Sequence, residues 1–270
     1  MHPIAFNLGS LTIYWYGILM GLAFVAGFWT AGRRGLRDGL HPEAILDLGT
    51  FLIIGAIIGA RLTYVVSYWE RDYACKPLWT ILNLRDGGLV YYGGFIGATL
   101  SGLIVARFKK LPLWKMADVL TPSVALGSAI GRIGCLMTGC CFGRVCDLPW
   151  AIRFPNQSPA WQTQEAAHLI GPLEGTLPVH PTEIYDSLLN FTLYLGLAWL
   201  YRHKKFDGQV FALYLMVYAI TRSISDAFRG DYPPENIHSG LTPAHLVSIG
   251  IFVAGAVLFR MLSRTRTAKP

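Results

Sequence analysis

The chain has 270 residues; 53% are hydrophobic, 13% are aromatic, and only 14% are Asp, Glu, Lys or Arg. Average globular proteins carry about 25% charged residues, and the mean hydropathy here is +0.42. A soluble domain, a disordered chain and a disulfide-rich secreted scaffold with its dense cysteines are all excluded, since this chain has five Cys. The net charge is +7, from 23 Lys and Arg against 16 Asp and Glu. The basic residues form short clusters between long apolar runs, which is the pattern of cytoplasmic loops rather than of nucleic-acid binding. The composition therefore predicts an all-α polytopic membrane protein forming one integral-membrane domain over 1–270.

In chain order, runs long and apolar enough to span a bilayer fall near residues 11–32, 46–67, 89–107, 116–135, 183–201, 208–227 and 242–262. Residues 1–32 contain no Lys or Arg, so the first run lacks the basic region of a secretory signal and is expected to be a span. Basic clusters follow the first, third, fifth and seventh runs: Arg33, Arg34 and Arg37; Arg107, Lys109, Lys110 and Lys115; Arg202, Lys204 and Lys205; Arg260, Arg264, Arg266 and Lys269. This alternation predicts an outside N-terminus and a cytoplasmic C-terminus. The segment 136–181 then lies outside, long enough for a small cap but not for an independent core. Four G-x-x-x-G pairs, Gly17/Gly21, Gly55/Gly59, Gly93/Gly97 and Gly127/Gly131, predict close helix seams.

Arg61, Arg132 and Arg222 fall inside predicted spans. At 1.5 Å per residue all three sit roughly 21–24 Å up a ~30 Å hydrocarbon core. One such arginine reads as a snorkelling or paired group. Three at one depth read as an anion site, and the planar guanidinium fork suits phosphate. A phosphate at that depth implies a phospholipid headgroup. Asp226 and Arg229 share a helix face with Arg222, and Arg222–Asp226 is a candidate local pair. Tyr16 and Tyr92 reach the same level, and Gly93 and Gly94 after Tyr92 are read as a tight bend or a close backbone approach to a ligand. Cys135, Cys140, Cys141 and Cys146 cluster after the fourth span. Their C-x4-C-C-x4-C spacing ranks a disulfide or simple packing above a metal site. His180 and His245 stand at helix starts and read as structural.

Six segments taken together resemble the prolipoprotein diacylglyceryl transferase family: Y-W-Y-G (14–17), G-A-R-L-T-Y (59–64), R-D-G-G-L-V-Y-Y-G-G (85–94), G-R-I-G-C-L-M-T-G-C-C-F-G-R (131–144), H-P-T-E-I-Y-D (180–186) and R-S-I-S-D-A-F-R (222–229). The resemblance covers nearly the whole chain. It implies a multi-pass enzyme of the bacterial inner membrane that moves the diacylglyceryl group of phosphatidylglycerol onto the lipobox cysteine of a preprolipoprotein signal peptide, releasing glycerol phosphate. It implies that Arg132 and Arg222 hold the phosphate, that Tyr16 is functional, and that Gly143, Arg61, Asp226 and Arg229 belong to the central cavity. Many family members carry His where this chain has Tyr92, and Asn and an acid where it has Cys135 and Cys140. They often read G-Q where it has Pro243-Ala244-His245. Tyr92 would then act as the base or orient substrate, and no metal or organic cofactor is expected. The competing readings are a lipid or anion transporter, against which no internal repeat is found, and another phosphatidylglycerol-dependent membrane enzyme.

Overall fold

The computed structural model describes residues 3–9, 11–74, 76–83, 87–231 and 242–267. Arg85 and Asp86 of the glycine-rich motif, and Lys269 of the last basic cluster, lie outside the described residues. The chain is mostly helical, with long helices close to all seven apolar runs: α1 (Trp15–Arg37), α2 (Pro42–Ser67), α3 (Tyr91–Phe108), α4 (Leu113–Thr138), a short α5 (Pro159–Ala166), α6 (Thr182–Arg202), α7 (Gln209–Ala227) and α8 (Pro243–Thr267). Among the described residues, α1, α2, α4, α7 and α8 are long and apolar enough to cross a membrane; α3 is apolar but shorter. The chain divides into two compact units, one of residues 1–31 and 117–270, the other of 32–116.

In the first unit the chain opens with a hairpin that the hydropathy pattern hid. Strands β1 (Ile4–Leu8) and β2 (Leu11–Tyr14) pair antiparallel, with Phe6 opposite Ile13 and Leu8 opposite Leu11. Gly9, at φ +62°, supplies the left-handed residue of the connection. The predicted first span therefore starts at Trp15, not residue 11. Ser123 joins α4 to α1 by donating to the Gly27 carbonyl at 2.7 Å. Asp118, on α4 and fully buried, caps α7: its carboxylate accepts the N–H groups of Gly208 at 2.8 Å and Phe211 at 3.0 Å. The segment 136–181 has a small core of its own, Phe142, Phe154, Ala160 and Val179, against which Leu136 and Ile152 pack. Within it, Ser158 caps α5 by accepting from the Trp161 N–H at 3.2 Å, with Pro159 at the first helical position.

The second unit is held by a glycine seam between α2 and α3. A Cβ on Gly59 would stand 2.8 Å from the Gly97 Cα, and one on Gly55 2.6 Å from the Gly97 carbonyl oxygen. Two of the four predicted G-x-x-x-G pairs thus face each other at backbone contact. Gly17, Gly21 and Gly127 have nothing within 4 Å of an added Cβ, so those pairs make no such seam.

Candidate functional site

Arg132, on the last turns of α4, meets a carboxylate from α6: its Nε lies 3.1 Å from Asp186 Oδ2. Four residues separate Arg222 and Asp226 on α7, one helical turn, and Nη2 lies 3.1 Å from Oδ1. Arg229, just past the end of α7, donates through Nε to Asp231 at 2.8 Å. Each of these arginines thus has a carboxylate partner. Asp226 is fully buried and also reaches α8: Thr242 donates to it through its hydroxyl, and His245 Nδ1 stands 3.5 Å away. His245 Nδ1 lies 2.9 Å from the same hydroxyl. Arg222, Asp226, Thr242 and His245 therefore form one polar connection between α7 and α8.

Around Arg132 the sequence brings further chemistry together. Tyr16, on the first turn of α1, packs its ring where a Cβ on Gly134 would lie, at 3.0 Å. It is within electrostatic reach of Arg132, Cys135, Cys140 and Cys141. Arg229 in turn acts on both Arg132 and Cys141. Hydrogen bonds from Cys135 and Cys140, then Arg229 and Arg132, hold the Cys141 thiol well below its usual range. Cys135, Cys140, Cys141 and Cys146 are all free thiols, so of the two favoured readings, disulfide and simple packing, no disulfide is formed among them. Gly143 is packed at backbone contact: an added Cβ would meet His180 at 2.5 Å and Thr182 Cγ2 at 2.9 Å. Its N–H donates to the His180 carbonyl at 3.1 Å, and it bridges to Arg229. Gly143 thereby joins the signature segment, the start of α6 and the end of α7 at one crossing. His180, Tyr185 and Phe228 stack edge to face beside it, with ring centroids 5.3–6.1 Å apart.

A cavity of about 740 Å³ runs along α6 and α7, walled by Leu188, Leu189, Leu193, Leu197, Leu213 and Val217. Its remaining wall includes Tyr185, Thr221, Ser225 and Phe228, the chain neighbours of Asp186, Arg222, Asp226 and Arg229. An apolar slot next to paired arginines is suited to an acyl chain whose headgroup is anionic.

The other expected site residues belong to the second unit. All five N–H groups of Arg61 go to backbone carbonyls: Nε to Ile81 at 2.7 Å, Nη1 to Gly87 at 2.8 Å and Gly88 at 3.1 Å, Nη2 to Thr80 at 3.1 Å and Asn83 at 2.7 Å. Here Arg61 orders a loop and offers no donor to an anion. Gly93 and Gly94 lie inside α3 rather than at a bend: an added Cβ would meet the Gly59 carbonyl at 2.5 Å and the Ala56 carbonyl at 3.3 Å, respectively. The turn falls earlier, at Gly87 and Gly88, with φ of +78° and +77°. Tyr92 stands exposed on the first turn of α3. Sequence reasoning gave no role to Asp186, although the H-P-T-E-I-Y-D motif contains it, or to Thr242.

Apolar spanning helices, arginine–carboxylate pairs and a lipid-sized apolar slot define a membrane protein built to handle an amphiphile with an anionic head. A family model described as "Prolipoprotein diacylglyceryl transferase" matches residues 3–261. Similar proteins named phosphatidylglycerol–prolipoprotein diacylglyceryl transferase include one from Finegoldia magna, 34% identical over 96% of this chain and 94% of that one. Others come from Clostridium tetani, 32% identical over 97% and 98%, and Synechococcus elongatus, 35% identical over 95% and 85%. The chain belongs to the prolipoprotein diacylglyceryl transferase family.

Proposed function

We propose that this protein transfers the diacylglyceryl group of phosphatidylglycerol to the lipobox cysteine of a preprolipoprotein signal peptide, forming a thioether and releasing glycerol phosphate. The observation that carries this is the Arg132–Asp186 pair beside Tyr16 and Arg229, in a unit that also holds the apolar slot along α6 and α7. The slot takes acyl chain. Arg132, with Arg222 and Arg229, faces the phosphate diester. As the glycerol C–O bond breaks, charge builds on the leaving phosphate oxygen, and fixed guanidinium groups stabilise it in a site of low dielectric. Asp186 and Asp226 act as positioning residues, setting the arginines before substrate arrives. Tyr16 donates a hydrogen bond to the substrate. Gly143 keeps its three segments in register.

The protein is proposed to be a single multi-pass domain of the bacterial inner membrane, with seven spans, the N-terminus outside and segment 136–181 as an extracytoplasmic cap. The alternation of basic clusters and the seven long helices support that topology. The test is transfer of labelled diacylglyceryl from phosphatidylglycerol vesicles to a synthetic lipobox peptide. Transfer to the Cys peptide, none to its Ser version, and loss in a folded Arg132→Ala variant are expected. Movement of labelled lipid between leaflets without any thioether product would replace this reading with a transporter.

A further inference from the structure

Cys135 lies in the last turn of α4, and the chain then turns sharply back. Gly139, at φ +73°, and Cys141, at φ +67°, are both left-handed, and the N–H groups of Gly139 and Cys140 both donate to the Cys135 carbonyl, at 2.9 and 3.2 Å. That turn folds Cys140 and Cys141 onto Cys135, so that the three sulfurs lie within 4.8 Å of one another. Cys146 is carried away, its N–H pairing with the Pro178 carbonyl at 3.0 Å. Three sulfurs bound to one zinc ion at about 2.3 Å, in tetrahedral or trigonal array, would stand about 3.8–4.0 Å apart. The trio is thus preformed to within a small side-chain adjustment.

A second observation points to a cation. Glu183, at the start of α6, is 1% exposed, and neither carboxylate oxygen has a hydrogen-bond partner among the described residues. It lies within electrostatic reach of Cys141 and Arg132. A buried carboxylate without a partner costs stability unless a positive charge or a proton satisfies it. Arg132 and Arg229 act on Cys141 and offset the negative charge of a thiolate cluster.

We propose that Cys135, Cys140 and Cys141 form a three-thiolate zinc site whose open fourth position receives the sulfur of the acceptor cysteine. The idea rests on the transferase reading and supplies what that reading lacks, a means of ionising the acceptor. A tyrosine phenol, with an ordinary pKa of about 10, is a poor base for a thiol. A thiol that coordinates zinc is deprotonated outright, and three protein ligands with one open position are the arrangement of catalytic zinc. The acceptor thiol gives its proton to water on coordination. Its sulfur then forms a bond to the glycerol carbon that bears the phosphate ester. The C–O bond breaks, and its electron pair leaves on the phosphate oxygen of glycerol phosphate. No group changes oxidation state.

The test uses the full-length protein in detergent. Metal analysis should find about one zinc per chain, matching the one three-thiol set among the described residues. Cobalt loaded in place of zinc should show thiolate-to-cobalt absorption. The Cys lipobox peptide should shift that absorption and the Ser peptide should not. Cys140→Ser should weaken zinc binding by more than the ~10–100-fold that loss of an outer-shell partner costs, while Cys146→Ser leaves it unchanged. In case Cys140→Ser fails to fold, stripping wild-type protein with a chelator and restoring zinc should abolish and recover transfer. Protein without metal, a disulfide within the trio, a cobalt spectrum unmoved by the Cys peptide, or full transfer by stripped protein would each overturn the proposal. Zinc and a peptide-dependent cobalt shift without transfer to any thiol would uphold the site and sink the transferase reading instead.

Discussion

Replacing Arg61 by Leu separates a structural arginine from a phosphate-binding one. The guanidinium gathers the carbonyls of Thr80, Ile81, Asn83, Gly87 and Gly88. Gly87 is exposed, so water replaces the lost bond there; Thr80, Ile81, Asn83 and Gly88 are half-buried. With a net ~1–1.5 kcal/mol for each of those four bonds, the substitution costs about 4–6 kcal/mol of local stability. Hydrogen exchange of the amides of residues 78–83 and 87–90, measured on detergent-solubilised protein, should accelerate by about three to four orders of magnitude if opening becomes local. The same variant should retain transfer at low temperature, where the loop remains closed. An Arg61→Leu protein with unchanged exchange and thermal midpoint but no transfer would refute the structural assignment and return Arg61 to the substrate.

Asp186→Asn keeps the shape of the Arg132 partner and removes its charge; transfer is expected to fall by about 10²-fold through misplacement of the guanidinium, with the protein still folded by size-exclusion chromatography. Gly97→Val should abolish the folded yield, because even a Cβ would lie 2.9 Å from the Gly59 Cα, whereas Gly127→Ala, in open space, should be silent in a thermal melt. Asp118→Ala uncaps α7 and should lower stability by about 1–3 kcal/mol, read by thermal melts, without changing the affinity for substrate. Asp72 is held at about 2, below the ordinary carboxylate range, by hydrogen bonds from Arg71 and then from the Tyr64 hydroxyl. Because its folded value is depressed, the contact is fully present above the ordinary value and is lost as pH falls through about 2. The carboxyl carbon of Asp72, followed by NMR, should titrate there, and an Arg71→Ala variant should titrate at higher pH, still below the ordinary value because the Tyr64 bond remains.

The long helices were legible because length and hydropathy alone specify a bilayer-spanning helix, and their observed ends fall close to the apolar runs. The hairpin was not. Leu11, Thr12, Ile13 and Tyr14 continue the apolar run of α1, and nothing in hydropathy marks the change from strand to helix at Trp15. The local pair Arg222–Asp226 was readable from helical spacing, while Asp186 reaches Arg132 from another helix and has no local signature. Arg61 looked like its fellows because its partners are backbone carbonyls, which every sequence has. Glycine pairs were ambiguous for a related reason: Gly87–Gly88 and Gly93–Gly94 read alike, yet the first pair turns the chain and the second lets two helices touch. The cysteine spacing could not separate three sulfurs from the fourth, because the left-handed residues at Gly139 and Cys141 decide it.

The arginine pairs differ in when each can form during synthesis. Arg222 meets Asp226 within one helix, and Arg229 meets Asp231 two residues on, so both cations leave the ribosome alongside their counter-ions. Arg132 has no such escort: its carboxylate arrives only with α6. Until then α4 carries an uncompensated charge, worth at least ~2.5 kcal/mol against lateral release into lipid. Insertion of the fourth helix ahead of the sixth therefore carries that cost, and the Arg132–Asp186 contact relieves it once α6 is in place.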